Sequence, residues 1–192
     1  MKAAGFAVAG GQSLRMGRDK AVLRWRTTDL LGHTLDRLRD ACGSAAILSG
    51  PTRRFAERGV PVHPDLLKDA GALGGILTGL GTLAEGYGLF LAVDLPLVPA
   101  ALLRHLLVLA EGQDAVVPVT AVGPEPLCAV YSWSTAATIR ARINRGEYKM
   151  TSFWPDVRVL RVEEEDLRHW GDPGLMFLNV NTPLDYERAR DA

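Results

Sequence analysis

An apolar run from Ala3 to Val8 passes directly into Ala9-Gly10-Gly11 and then into a short segment carrying Arg15, Arg18 and Lys20. This order suits a buried first strand of an α/β sheet that ends in an anion-binding turn. Glycine lets the backbone take positive φ and lets a ligand approach the peptide planes closely. Successive N–H groups in such a turn form a concave anion site, and the three cations can neutralise what it holds. The ligand that this chemistry suits is a polyphosphate.

Two well-known glycine loops do not fit. A P-loop needs a glycine, four residues and then Gly-Lys-Ser/Thr, whereas Gly11 and Gly17 are separated by five residues and followed by Arg18-Asp19. The dinucleotide fingerprint needs G-x-G-x-x-G opening a helix, which Gly10 to Arg15 does not supply. What remains is the ordered pattern G-G-x-S-x-R-M-G-x-x-K from Gly10 to Lys20.

A chain of 192 residues with 47% hydrophobic content can bury one sizeable core, so one domain over residues 1–192 is expected. The 22 basic and 22 acidic residues cancel to a net charge of +0, which leaves no global field to recruit nucleic acid or an anionic membrane. Anion binding must be local. Cys42 and Cys128 form no C-x-x-C pair and read as reduced, packed thiols. Without a run of about 18 apolar residues or a signal-peptide pattern, the chain is expected to be soluble and cytoplasmic.

Along the chain, Leu31, Leu35, Leu38 and Ala41 share one face of a helix over 30–42. Ala21-Val22-Leu23 reads as a short apolar segment. Ala45 to Leu48 is a short strand, 53–58 a short helix closed by Gly59, and Val60-Pro61-Val62 a weak edge strand. A glycine-dense apolar helix is expected from Gly71 through Ala84. Each glycine inside it costs about 1 kcal/mol against alanine, so close approach to a ligand or to the sheet is implied. Leu89 to Val93 is the clearest buried strand, and Pro99 opens a helix through about Ala110. Strands at 115–119, 127–131, 157–162 and 175–180, and a helix over 135–144, complete the pattern. Thr182-Pro183-Leu184-Asp185 carries the elements of a capping box. This alternation predicts a mostly parallel, mixed sheet with helices on both faces.

Three places beyond the opening segment carry chemistry. Asp94 ends the strand 89–93, and ligands of open α/β sheets bind outside the carboxyl ends of strands. It can hold Mg²⁺ or cap the next helix. Asp65, after His63-Pro64, can accept from guanine N1–H and N2–H₂ or from two ribose hydroxyls, or stay solvated. Asn179 and Asn181 can face a substrate or bond local backbone. Cys128 has no basic neighbour to activate it. The four histidines lack ligand spacing for zinc, and the tryptophans do not interleave with basic residues as a base-stacking platform would.

The pattern from Gly10 to Lys20 resembles the signature of the nucleotidyltransferase superfamily, which makes activated sugars, isoprenoid precursors and molybdenum cofactors. The ending Phe177-Leu178-Asn179-Val180-Asn181-Thr182-Pro183-Leu184-Asp185 resembles that of the molybdenum cofactor guanylyltransferases (MobA-type), whereas cytidylyl-transferring relatives usually end on an Asp-x-Asp-Thr-Pro variant. Pro126 to Tyr131 is similar to the family's acceptor-side strand, and the likeness runs from Ala3 to Asp185. Ala72 stands where relatives commonly have Pro, and Ser49 where some have Asn.

The resemblance implies a Rossmann-like three-layer sandwich and a Mg²⁺-dependent transfer of GMP from GTP to the terminal phosphate of molybdopterin or its molybdenum form. It implies catalytic roles for Arg15, Lys20 and Asp94, with Asp94 as metal ligand and Arg18 as a further cation. Nucleotide contacts are implied at Val8, Ala9, Gly10, Gly11, Lys20, Ser49, Asp65 and Asp94, and acceptor contacts at Asn179 and Asn181. Transient docking to cofactor-insertion proteins or molybdoenzymes is a further expectation. The alternatives are a molybdopterin cytidylyltransferase, a sugar-phosphate nucleotidyltransferase or a non-catalytic nucleotide-binding regulator.

Overall fold

The computed structural model describes residues 1–10, 19–67 and 69–192. In chain order the strands and α-helices are β1 (Ala3–Val8), β2 (Arg24–Trp25), β3 (Thr28–Asp29), α1 (Leu30–Cys42), β4 (Ala46–Leu48), β5 (Val62–His63), α2 (Gly71–Leu80) and β6 (Tyr87–Ala92). There follow α3 (Ala100–Leu109), β7 (Ala115–Thr120), β8 (Gly123–Pro124), β9 (Cys128–Ser132), α4 (Ala136–Asn144), β10 (Val159–Val162), α5 (Glu164–Leu167), α6 (Pro173–Met176) and α7 (Pro183–Asp191).

The main sheet runs β10-β7-β9-β6-β1-β4-β5, with β8 paired to β7. β1 lies parallel to β4 and β6, and β10 parallel to β7, while β9 runs antiparallel to both β6 and β7. The carboxyl ends of β1, β4 and β6 therefore lie along one edge, where the amino end of β9 joins them. β5 is an edge strand, as Pro61 predicted.

Period-two alternation divides the strand residues between two cores. Ala7, Leu89, Leu91 and Val130 pack with Leu35 and Leu38 of α1 and Leu103 and Leu106 of α3. Phe6, Phe90, Ala129 and Tyr131 face the other way, against Leu73, Ile76 and Leu77 of α2 and Ile139 of α4. This is the expected three-layer architecture. Each fully buried leucine contributes about 2 kcal/mol of transfer free energy, so the two faces together drive the assembly. α1 starts where Asp29 accepts from the Gly32 N–H at 2.8 Å and ends at Gly43, whose φ of 77° closes the last turn.

On the second face Phe6 and Phe90 stack at 5.0 Å, and Tyr131 meets Phe90 edge-on at 5.7 Å. A Cβ on Gly79 would lie 2.7 Å from the Phe90 ring. The glycine density of α2 is thus explained at this position by close approach to the sheet.

Several expected elements differ. α2 ends at Leu80, where the turn at Gly81 takes over, and does not continue to Ala84. Ala21 and Val22 belong to a 3₁₀ turn over Lys20–Val22, followed by the β2–β3 hairpin. The segment 53–58 forms only a 3₁₀ turn over Ala56–Arg58, closed by Gly59. The run 175–180 is not a strand. Asp172 caps Gly174 N–H at 2.8 Å with Pro173 in the first turn, so α6 forms instead, and the Val180 N–H bonds to the Asp94 carbonyl at 2.9 Å rather than to a ladder. No helix among the described residues is long and apolar enough to cross a membrane.

Candidate active site

β1, β4 and β6 deliver their carboxyl ends to a cleft of about 330 Å³ lined by Val8, Gly10, Lys20, Gly50, Asp65, Gly75, Asp94 and Leu127 among others. Its floor is backbone. Ala9 N–H bonds to the Leu48 carbonyl at 2.9 Å. A Cβ on Gly10 would stand 2.9 Å from the Gly50 Cα, and Gly50 itself has φ +78°. The two peptides pack on each other with no room for a side chain, and both line the cleft as bare main chain.

Lys20 enters on the 3₁₀ turn that Asp19 caps by accepting from the Ala21 N–H at 3.1 Å. Its ammonium donates to Oδ2 of Asp94 and, at 3.2 Å, to Oδ1 of Asn181. The Lys20 and Asp94 side chains retain only 15% and 16% of their exposure, so the pair is largely withdrawn from water. The C-terminal segment is held against this point from both sides. Val180 N–H bonds to the Asp94 carbonyl, and Asn181 N–H bonds to Asp185 Oδ2 at 3.2 Å. Asp185 belongs to the predicted capping box with Thr182.

Asp65 lies on the wall beside α2. Its N–H bonds to the Gly50 carbonyl at 2.8 Å, and burial pushes its carboxyl above the usual range. Gly75 faces it, since a Cβ there would come 3.9 Å from Asp65 Oδ1. The structure therefore brings Val8, Gly10, Lys20, Asp65 and Asp94 to one cleft and joins Asn181 to it through Lys20.

The other expected residues stand apart. Ser49 is fully buried and donates to the Thr52 carbonyl at 2.8 Å. Ala9 is also buried, and its carbonyl accepts from Arg54. Asn179 is exposed, with its amide 3.4 Å from the Phe177 carbonyl. Gly11, Arg15 and Arg18 lie outside the described residues.

Two acidic residues were not singled out in the sequence. Asp69 lines the cleft with φ 60°, a left-handed conformation for which aspartate has some tolerance. Glu125 precedes β9, which starts alongside the end of β6. Burial and the neighbouring Asp94 charge push its carboxyl up to about 7. A glutamate between two prolines, just before an apolar strand, is the only signal the sequence offers. Burial and Glu125 also hold the Cys128 thiol well above its usual range, in keeping with a packing role.

Asp94 and Asn181 present hard oxygen donors, and they already hold a cation, the Lys20 ammonium, between them. With Glu125 close by, this donor set fits Mg²⁺, which takes few protein oxygens and completes its shell with water and phosphate. No group of three or more His, Cys, Asp or Glu side chains that could hold a metal occurs among the described residues.

A sheet whose strand ends carry a backbone-floored cleft, lined by a paired lysine and carboxylate, defines an α/β protein with its ligand cleft at the strand ends. The family model for the MobA-like NTP transferase domain matches residues 5–159. The chain belongs to that family and is a nucleotidyltransferase. A Pelotomaculum thermopropionicum protein named probable molybdenum cofactor guanylyltransferase is 34% identical over 190 residues, covering 99% of this chain and 93% of that one. The molybdenum cofactor guanylyltransferase of Syntrophotalea carbinolica is 32% identical, over 95% of this chain and 88% of that one. Among solved structures, molybdopterin-guanine dinucleotide biosynthesis protein A from Archaeoglobus fulgidus superposes with a TM-score of 0.83 at 27% identity, covering 100% of this chain and 97% of that chain.

Proposed function

We propose that the chain transfers GMP from GTP to the terminal phosphate of molybdopterin or its molybdenum form, releasing pyrophosphate, with residues 1–192 acting as one Mg²⁺-dependent domain in the cytoplasm. The observation that carries this reading is the meeting of Lys20, Asp94 and Asn181 at the cleft mouth. The names of the similar guanylyltransferases support the choice of substrates.

The chemistry asks little of a base. A phosphate monoester has a second pKa near 6, so the acceptor is already a nucleophile at neutral pH. What remains is to align two anions and offset their repulsion. Asp94 would hold Mg²⁺ with Asn181 and Glu125 nearby, and when bound the ion supplies charge compensation at the α-phosphate. Lys20, with Arg15 and Arg18, would neutralise the departing pyrophosphate. The peptides of Val8, Gly10 and Gly11 would bear on the nucleotide, Ala9 would be held behind them by Leu48 and Arg54, and Ser49 would hold the adjoining loop rather than touch it. Asp65, facing Gly75 across the cleft wall, would accept from the guanine edge. Asn179 and Asn181 would flank the acceptor. Transient docking to insertion proteins or molybdoenzymes follows from the need to hand over the product.

The test is pyrophosphate release with Mg²⁺ and molybdopterin, comparing GTP with CTP. Release with GTP alone is expected. Release with CTP instead would make the chain a cytidylyltransferase, and nucleotide binding without release would make it a regulator.

A further inference from the structure

Arg54 stands outside the cleft lining, yet it reaches both segments that carry the cleft residues Gly10 and Lys20. Its Nη1 donates to Asp19 Oδ2 at 2.5 Å, and its Nη2 donates to the Ala9 carbonyl at 2.6 Å. A longer contact of 3.5 Å runs from Nη2 to the Ser49 carbonyl. The guanidinium carbon lies 4.8 Å from the centroid of the Phe55 ring, and Phe55 is anchored in the core at 8% exposure. The fork is therefore braced on one side by a packed ring and fixed on the other by its acceptors.

Each acceptor leads to a cleft residue. Asp19 uses its second oxygen to cap the turn that carries Lys20. Ala9 is followed by Gly10, whose peptide packs on Gly50 to make the floor. The Ala9 carbonyl is buried just beyond the end of β1, where a buried carbonyl needs a partner. The Arg54 and Asp19 side chains keep 33% and 28% of their exposure. An ion pair that exposed contributes little to global stability. Its value lies in geometry: a planar guanidinium holds two acceptors at a fixed angle, which a single ammonium does not do.

We propose that Arg54 is a positioning residue of the nucleotide site, clasping Ala9 and Asp19 so that the Gly10 floor and the Lys20 ammonium stand in fixed relation. The inference rests on the nucleotide-transfer reading and adds to it a residue that touches neither substrate. It predicts an effect on the nucleotide and not on the acceptor.

The experiment compares wild type with Arg54→Ala, Arg54→Lys and Asp19→Asn, reading the KM for GTP, the KM for molybdopterin, kcat and Tm. Loss of charge-assisted hydrogen bonds to the clasp raises the KM for GTP about tenfold in Arg54→Ala, with the acceptor KM within about twofold of wild type. Arg54→Lys recovers only part of this, because one ammonium cannot serve both acceptors. Asp19→Asn keeps a capping oxygen, so it retains the Lys20 turn and still weakens GTP. It serves as the test if Arg54→Ala does not fold. An unchanged GTP KM in these variants, full rescue by Arg54→Lys, or equal changes for GTP and acceptor would overturn the positioning role. Absence of turnover in wild type with every nucleoside triphosphate would instead defeat the transfer reading itself, and the wild-type control separates the two failures.

Discussion

Lys20 and Asp94 meet across the cleft as a largely buried ion pair, joining the turn beyond β1 to the end of β6. The same ammonium reaches Asn181, so one side chain ties three distant parts of the chain to the point where charge would develop. Removing a preorganised donor of this kind costs about 10²–10³ in turnover. Lys20→Met is therefore expected to slow pyrophosphate release by that order while the β1–β6 pairing survives. Stopped assays at saturating GTP, with circular dichroism for folding, check both halves.

Asp65 lines the cleft with Gly50, whose carbonyl accepts from its N–H, and with Gly75 facing its carboxylate. If its carboxylate accepts from guanine N1–H and the 2-amino group, GTP is preferred over ITP, and Asp65→Asn narrows that preference. One lost hydrogen bond to a charged group corresponds to about 1.5–3 kcal/mol, or roughly ten- to a hundredfold in affinity. Competition between the two nucleotides is the measurement. A preference that instead shifts only between GTP and 2′-deoxy-GTP would move Asp65 to the ribose.

Gly10 and Gly79 are both close-packed, with different consequences. A methyl on Gly10 meets the Gly50 backbone at 2.9 Å, and one on Gly79 meets the Phe90 ring at 2.7 Å. Overpacking of either kind costs about 1–3 kcal/mol. Gly10→Ala is expected to lower both Tm and GTP affinity, because it displaces the cleft floor. Gly79→Ala is expected to lower Tm alone. Thermal melts with and without GTP separate the two.

His33 gives the stability an acid limb. Burial, then the positive charge of Arg37, lower its pKa from 6.5 to about 4, opposed by the Pro96 carbonyl, with lesser effects of Arg26 lowering it and Asp36 raising it. Its Nε2 lies 3.0 Å from the Pro96 carbonyl, which suits the neutral ring as donor. Between pH 6.5 and about 4 the unfolded chain binds a proton at this site that the folded chain does not. Stability therefore rises with pH across that window and is lost as pH falls through it. Denaturant titrations at several pH values should show the loss in wild type and a flatter profile in His33→Gln, whose amide can still donate to Pro96.

What the sequence made legible follows from how local each signal is. The β1 run, the α1 face of Leu31, Leu35 and Leu38, the edge position of Pro61 and the Thr182–Asp185 capping box each depend on neighbours within a few residues. Asp94 was legible because strand ends of open sheets bind ligands, and Lys20 because its motif is long. The run 175–180 misled because Met176, Phe177 and Val180 are buried by packing rather than by pairing; Val180 spends its N–H on Asp94. Arg54 gave no signal, since Ala9 is brought to it only by the β1–β4 pairing and Asp19 lies 35 residues away in sequence. Glu125 acquires its character from burial and then from Asp94, which the antiparallel entry of β9 sets beside it.

Transfer of a guanylyl group from GTP to a phosphate acceptor is tested most directly by following label from α-labelled and γ-labelled GTP in the presence of Mg²⁺ and molybdopterin. α-Label is expected in a molybdopterin dinucleotide and γ-label in pyrophosphate, with both lost in Asp94→Ala. α-Label that never enters the acceptor, or entry from CTP as readily as from GTP, would contradict it.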